Sequence, residues 1–241
     1  MKSISLIQNS TPFPPVELAL TQPNGLLAVG GDLSPERLLD AYRHGIFPWF
    51  NEDDPLLWWS PNPRMVLFPK EFIISHSLRK ILRKGNYEIR IDTAFEQVMR
   101  NCAAPRKGQA GTWILENIIT AYCELHHRGY AHSVETWVDR ELVGGLYGIA
   151  IGKMFYGESM FSRKSNASKI AIAHLAKQLE LWNFGMIDCQ MNTPHLASLG
   201  AREIPREEFM QRLQKLINYP NVHTLSEWGT SIPNLFIERH S

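Results

Sequence analysis

Ser133-Val-Glu-Thr-Trp-Val138, Leu142-Val-Gly-Gly-Leu-Tyr-Gly-Ile-Ala-Ile151 and Met154-Phe-Tyr156 follow one another with only short polar or glycine-containing breaks at Asp139-Arg140 and Gly152-Lys153. Gaps that short between β-rich runs predict hairpins, so the three read as an antiparallel meander. Ala167–Trp182 then spaces its apolar residues as a helix does and stops near Gly185, while Met186–Met191 has the length of one buried strand. Meander, long helix and a further strand predict an α/β (α+β) unit whose mixed sheet is covered by helices. Working outward, Met65–Phe68 and Tyr87–Ile91 read as strands and Ser75–Lys84 as a helix closed by Gly85. Asp92 is expected to cap a helix running to about Cys102, Leu115–Arg128 to form an amphipathic helix ended by Gly129, and Arg206–Ile217 the last helix.

Residues 1–63 differ from the rest. They are rich in Pro, Gly and Trp, with one clear helix that starts at Ser34-Pro35 and ends at Gly45. Pro61-Asn62-Pro63 is the expected joint between a small N-terminal domain (1–63) and a larger C-terminal one (64–241). The 241 residues carry net charge +1, but residues 1–63 hold three bases against seven acids, net −4, leaving +5 for the remainder. A polyanion should therefore meet the second part. Three cysteines at irregular spacing suggest neither a disulfide framework nor a zinc site. No apolar run approaches the roughly 20 residues that span a bilayer, and the start lacks a secretory pattern, so a cytoplasmic protein is expected.

Four features carry chemistry. Gly157-Glu158-Ser159-Met160-Phe161-Ser162 lacks the second glycine of a nucleophile elbow, so Glu158 at a strand edge, facing a cavity and holding a cation or amine, is the better reading. Asp188 and Gln190 lie two apart in an apolar strand, which places both on one face, where burial costs free energy unless they bond something. Cys189, on the other face, is expected in the core. Arg79, Lys80, Arg83 and Lys84 form the outer face of the helix at Ser75–Lys84 with no acid between Glu71 and Glu88, a pattern suited to phosphate; Arg106 and Lys107 would extend it. Trp49 and Trp113, in loop-like contexts, suit stacking on unpaired bases, whereas Trp58 and Trp59 suit packing.

The order of elements resembles an N-acyltransferase core. Acetyl-CoA enzymes of that kind carry a Gly-rich turn before the long helix, but Arg163-Lys164-Ser165-Asn166-Ala167-Ser168 has no Gly, which disfavours CoA. The ordered motifs Gly30-Gly31-Asp32-Leu33, Gly45-Ile46-Phe47-Pro48-Trp49-Phe50, Trp58-Trp59-Ser60-Pro61, Gly111-Thr112-Trp113-Ile114, Gly157–Ser162 and Ile187-Asp188-Cys189-Gln190 resemble the leucyl/phenylalanyl-tRNA–protein transferase family, as does His195–Ala201. The resemblance covers nearly the whole chain. It implies a GNAT-like (acyltransferase-like) core without cofactor, and transfer of Leu or Phe (Met weakly) from aminoacyl-tRNA to the N-terminal Arg or Lys of proteins, marking them for N-end-rule degradation by a monomer.

By position, the resemblance further implies that Trp49 and Trp113 hold the 3′-terminal adenosine. Phe155, Glu158 and Ile187 would surround the aminoacyl ester, with Glu158 near the α-amino group. Leu146 and Leu175 would line the pocket wall where Met and Phe are expected, Tyr42 and Tyr122 fall on site positions, and Asp188 and Gln190 would act on the attacking amine. Thr193 stands where an Asn is expected, with Asn192 before it. A CoA-dependent N-acyltransferase and a non-catalytic RNA-binding module are the alternatives; the second leaves Glu158, Asp188 and Gln190 unexplained.

Overall fold

A computed structural model describes residues 4–105, 112–220, 228–229 and 235–236. Its elements are β1 (Ser5–Ile7), β2 (Leu26–Gly30), α1 (Pro35–Arg43), β3 (Phe47–Pro48), β4 (Leu57–Trp59), β5 (Arg64–Leu67), α2 (His76–Lys84), β6 (Glu88–Ile91), α3 (Phe95–Ala103) and α4 (Glu116–His127). There follow β7 (Ala131–Val138), β8 (Glu141–Ile151), β9 (Met154–Ser162), α5 (Ala167–Leu181), β10 (Met186–Gln190), α6 (Pro194–Ser198), β11 (Arg202–Ile204) and α7 (Arg206–Ile217). The expected meander is β7-β8-β9, three adjacent strands of a seven-stranded mixed sheet ordered β11-β5-β10-β9-β8-β7-β6. Only β9 and β10 pair in parallel there, because the crossover through α5 brings the chain back in the same direction. β1, β2, β4 and β3 form a second sheet, its strands too short to register as alternation.

Each face of the large sheet has its own core. Phe155, Leu146 and Ile187 join α5 and α2, through Leu175, Leu78 and Leu82, on one face. The neighbouring Tyr156 and Tyr147 point the other way, into a cluster with Val98 of α3, Ile118 of α4, Phe209 of α7, and Tyr42 and Trp58 from the first 60 residues. The small sheet thus packs on the face opposite α5.

Local chemistry places these elements. Ser34 caps α1 by accepting from the Arg37 N–H, with Pro35 as first helical residue. Ser75 caps α2 likewise, and Gly85 ends it in the left-handed region at φ 65°. Asp92 corrects its expectation as a cap. Its φ is 57°, its carboxylate accepts from the Ser133 N–H and pairs with His132, and α3 begins only at Phe95, with Glu135 accepting from the Ala94 N–H. The third meander strand runs to Ser162 rather than Tyr156, so Gly157–Ser162 is strand throughout. Arg106, Lys107 and Gly111 lie outside the described residues.

Candidate active site

β9 and β10 pair only from Met154 to Tyr156 and from Met186 to Asp188. Beyond those residues no ladder joins them, and the sheet is open between its central strand β9 and the neighbouring β10. A cavity of about 1050 Å³ occupies this opening. Leu146, Phe155, Ile172, Leu175 and Ile187 line it from the α5 side, and Trp49, Trp113, Leu115 and Tyr147 from the other. The cavity therefore crosses the plane of the sheet.

Two bulges put polar groups at the crossing. Gly157 faces Gly148 and Ser159 faces Tyr147, so Glu158 is an extra residue in β9. Asp188 faces Val66 and Gln190 faces Met65, so Cys189 is extra in β10, and Gln190 takes φ 61°. A bulge re-aims the side chains after it. This corrects the period-two expectation: Asp188 turns away from the cavity, while Cys189 and Gln190 both line it. Gln190 Nε2 donates to Glu158 Oε1 at 3.0 Å, closing the two bulges into one carboxylate–amide pair.

Behind Glu158 stand two buried tyrosines. Tyr122 Oη donates to Glu158 Oε2 at 3.2 Å, and the hydroxyls of Tyr42 and Tyr122 share a short hydrogen bond. Burial, reinforced by the Glu158 charge, holds both phenols well above their ordinary pKa, so they remain protonated donors. Neither lines the cavity; they hold the carboxylate that does. Burial pushes Glu158 up to about 7; hydrogen bonds from Tyr42, Tyr122 and Gln190 oppose that rise, and Asp188 adds to it.

Asp188 is fully buried and acts at one remove. Arg64 Nε and Nη2 donate to its two oxygens at 2.8 and 2.7 Å, and Oδ1 also accepts from the Gln190 backbone N–H at 2.9 Å. Asp188 thus pins the left-handed turn that swings Gln190 into the cavity. Arg64 donates further to the Gly45 carbonyl at 3.1 Å and lies between the rings of Phe47 and Phe209, 4.8 and 4.7 Å from their centres. Arg64 was not among the expected site residues. An arginine opening the apolar run Met65–Leu67 signals a buried charge in need of a partner, but nothing local says which.

Trp49 is held by Trp59, whose indole N–H donates to the Trp49 carbonyl at 2.6 Å while the rings meet edge to face 5.5 Å apart. Trp58 is wholly buried, the packing role expected of it. Thr193 lines the cavity and its hydroxyl caps α6 by accepting from the Leu196 N–H. Arg79, Lys80, Arg83 and Lys84 are all exposed, with Leu78 and Leu82 buried beneath them. Glu52 and Asp53, exposed acids of the N-terminal 63 residues, lie on the cavity's lip. Among the described residues, no three His, Cys, Asp or Glu side chains gather as a metal would need, and no helix is long and apolar enough to cross a membrane.

A mixed sheet parted at a parallel pair, with an apolar pocket on one face and a carboxylate–amide pair at the opening, is a core suited to acyl transfer. The sequence profile described as "Leucyl/phenylalanyl-tRNA protein transferase" matches residues 66–214, and its N-terminal domain profile matches residues 31–62. The chain belongs to the leucyl/phenylalanyl-tRNA–protein transferase family and is an aminoacyltransferase. Relatives of that name from Nitrosospira multiformis and Nitrosomonas europaea are 68% and 64% identical, each over 90% of this chain and 93% and 92% of their own lengths. One from Thiobacillus denitrificans is 64% identical over 89% of this chain and 94% of its own. A solved GCN5-related N-acetyltransferase from Kribbella flavida is similar at TM-score 0.35 and 9% identity, over 68% of this chain and 59% of that one.

Proposed function

We propose that the protein transfers leucine or phenylalanine from aminoacyl-tRNA to the N-terminal Arg or Lys of acceptor proteins, without a cofactor. The observation that supports this most is the cavity crossing the sheet: an apolar side chain unbranched at Cβ fits the α5 side, and a stacked nucleotide fits Trp49 and Trp113 opposite. The ester then lies at the opening, its α-ammonium facing Glu158. Because Gln190 gives its N–H to Glu158, its amide oxygen is left to accept from the incoming amine.

An aminoacyl ester needs no harsh nucleophile. The attacking amine has an ordinary pKa of about 7.7–8.0, so an appreciable fraction is neutral near pH 7. Its nitrogen bonds to the ester carbon, the bond to the ribose 3′ oxygen breaks, and one proton passes from nitrogen to that oxygen. Holding the two partners together supplies much of the rate. Asp188 is a positioning residue in this scheme, since it touches Gln190 and neither substrate.

Charge divides the remaining work. The basic face of α2 suits the tRNA backbone, read by phosphate contacts that ignore base sequence, as acceptance of several isoacceptors requires. Changing Arg79, Lys80, Arg83 and Lys84 together to Ala should weaken tRNA binding and flatten its dependence on salt by up to four phosphate contacts. A binding isotherm series between 50 and 200 mM salt checks this, and an unchanged slope removes α2 from the interface.

Glu52 and Asp53 on the lip suit the cationic side chain of the acceptor's first residue. Glu52→Gln with Asp53→Asn should raise KM for a peptide beginning with Arg several-fold and leave KM for leucyl-tRNA in place. Equal change in both constants would count against that subsite. The whole reading is tested by incubating labelled leucyl-tRNA with a peptide that begins with Arg. Label should move to the free peptide and not to its N-acetylated form; label that stays on tRNA, or moves only when CoA is added, contradicts it.

A further inference from the structure

Phe155 lines the pocket on the α5 side. It pairs with Ile187 where β9 and β10 are still joined, three residues before Glu158, and so lies on the joined side of the opening. Phe155 is fully buried and has room only because residue 148 is glycine: a Cβ there would come within 2.6 Å of the Phe155 ring. Trp228, far along the chain, stands next to Phe155 with ring centres 6.1 Å apart. It lines no part of the cavity, yet it is only 3% exposed.

Trp228 is clamped from two sides. It stacks on His132 of β7 at 3.9 Å with the planes 8° apart, and meets Trp182, just past α5, edge to face at 5.0 Å. Its indole N–H and His132 Nε2 are both buried without a hydrogen-bond partner. Packing therefore holds Trp228 here, against a cost in unpaired polar groups that a purely structural filler would avoid. Phe236 adds a second contact, edge-on to His174 at 4.9 Å, and His174 precedes the pocket residue Leu175 on α5. Both residues fall after position 214, where the family profile's match ends.

We propose that Trp228 sets the depth of the aminoacyl side-chain pocket by buttressing Phe155, so that the C-terminal part of the chain helps select which amino acid is transferred. The inference rests on the reading under Proposed function. Without the indole, Phe155 can tilt away from the opening and the pocket lengthens. Trp228 is a positioning residue, and side-chain selectivity is the quantity that a general loss of stability would not move.

The test compares tRNA carrying p-iodophenylalanine with tRNA carrying phenylalanine, using the full chain and an acceptor peptide beginning with Arg. Apolar pockets discriminate by about 10- to 200-fold for each methylene-sized difference. Trp228→Ala should therefore raise the ratio of kcat/KM for p-iodophenylalanine over phenylalanine by about tenfold, and Trp228→Leu should raise it less. An unmoved ratio overturns the buttress, and Trp228→Leu alone decides the matter if Trp228→Ala does not fold. Wild-type protein that transfers neither amino acid overturns the functional reading and this inference with it.

Discussion

Arg64→Ala or Asp188→Ala should each destabilise the fold by about 3–5 kcal/mol, the cost of leaving one member of a buried ion pair without the other. Arg64 is 1% exposed and Asp188 0%, so neither lone charge can reach water. The loss exceeds that of ordinary point changes and takes a large share of a domain's stability. Arg64→Met combined with Asp188→Leu should recover most of it, since apolar replacement of a buried pair is often neutral. Activity should not recover with stability, because the Gln190 N–H has lost the oxygen that holds its left-handed turn. Urea unfolding beside steady-state transfer separates the two effects. A double variant that is stable and fully active would show that Asp188 serves the fold alone.

Glu158→Gln should lower kcat/KM for aminoacyl-tRNA by roughly 10- to 100-fold, the worth of a charged hydrogen bond. It should also remove a pH dependence. With its carboxyl at about 7, the free protein gains the negative charge that holds an α-ammonium as pH rises from 6 to 7, before the α-ammonium itself loses its proton. Wild-type KM for aminoacyl-tRNA should fall over that range, and the Gln variant's should stay level.

Stability moves the opposite way. In the unfolded chain an ordinary glutamate titrates near 4.3. Between that pH and about 7 the folded state keeps a proton that the unfolded state has released, so this group's contribution to stability is lost as pH rises. Glu158→Gln should therefore melt higher than wild type at pH 8 and level with it near pH 4.5. A variant that melts lower at pH 8 would place the carboxylate in a comfortable, solvated setting. Activity and stability thus pull against each other at this one residue, as they do where a charge is held for a substrate.

Periodicity made the central strands and α5 legible, because each buries a regular face. Leu146, Phe155, Leu175 and Ile187 were expected at the pocket from the resemblance alone, and all four line the cavity. The two bulges were not legible. An inserted residue such as Cys189 leaves the apolar pattern of β10 unchanged, and its effect depends on which residue of β5 stands opposite. Hence Asp188 and Gln190, two apart, were expected on one face and lie on different ones. Arg64 was hidden for a related reason: its partner is 124 positions away, and no local spacing reports a contact of that range. Tyr42 and Tyr122 sat in helices as ordinary apolar-face residues, and only the packing of α1 against α4 joins their hydroxyls. Asp92, a residue type favoured at helix caps, is equally at home in the left-handed conformation it adopts.

The placement of substrate across the sheet is most directly tested by crystallising the protein with a non-hydrolysable phenylalanyl-adenosine amide. The phenyl ring should lie among Leu146, Phe155, Leu175 and Ile187, the α-amino group within hydrogen-bond reach of Glu158, and the adenine against Trp49 and Trp113. Density that puts phenyl ring and adenine on the same face of the sheet, or that leaves the α5-side pocket vacant, would contradict the account.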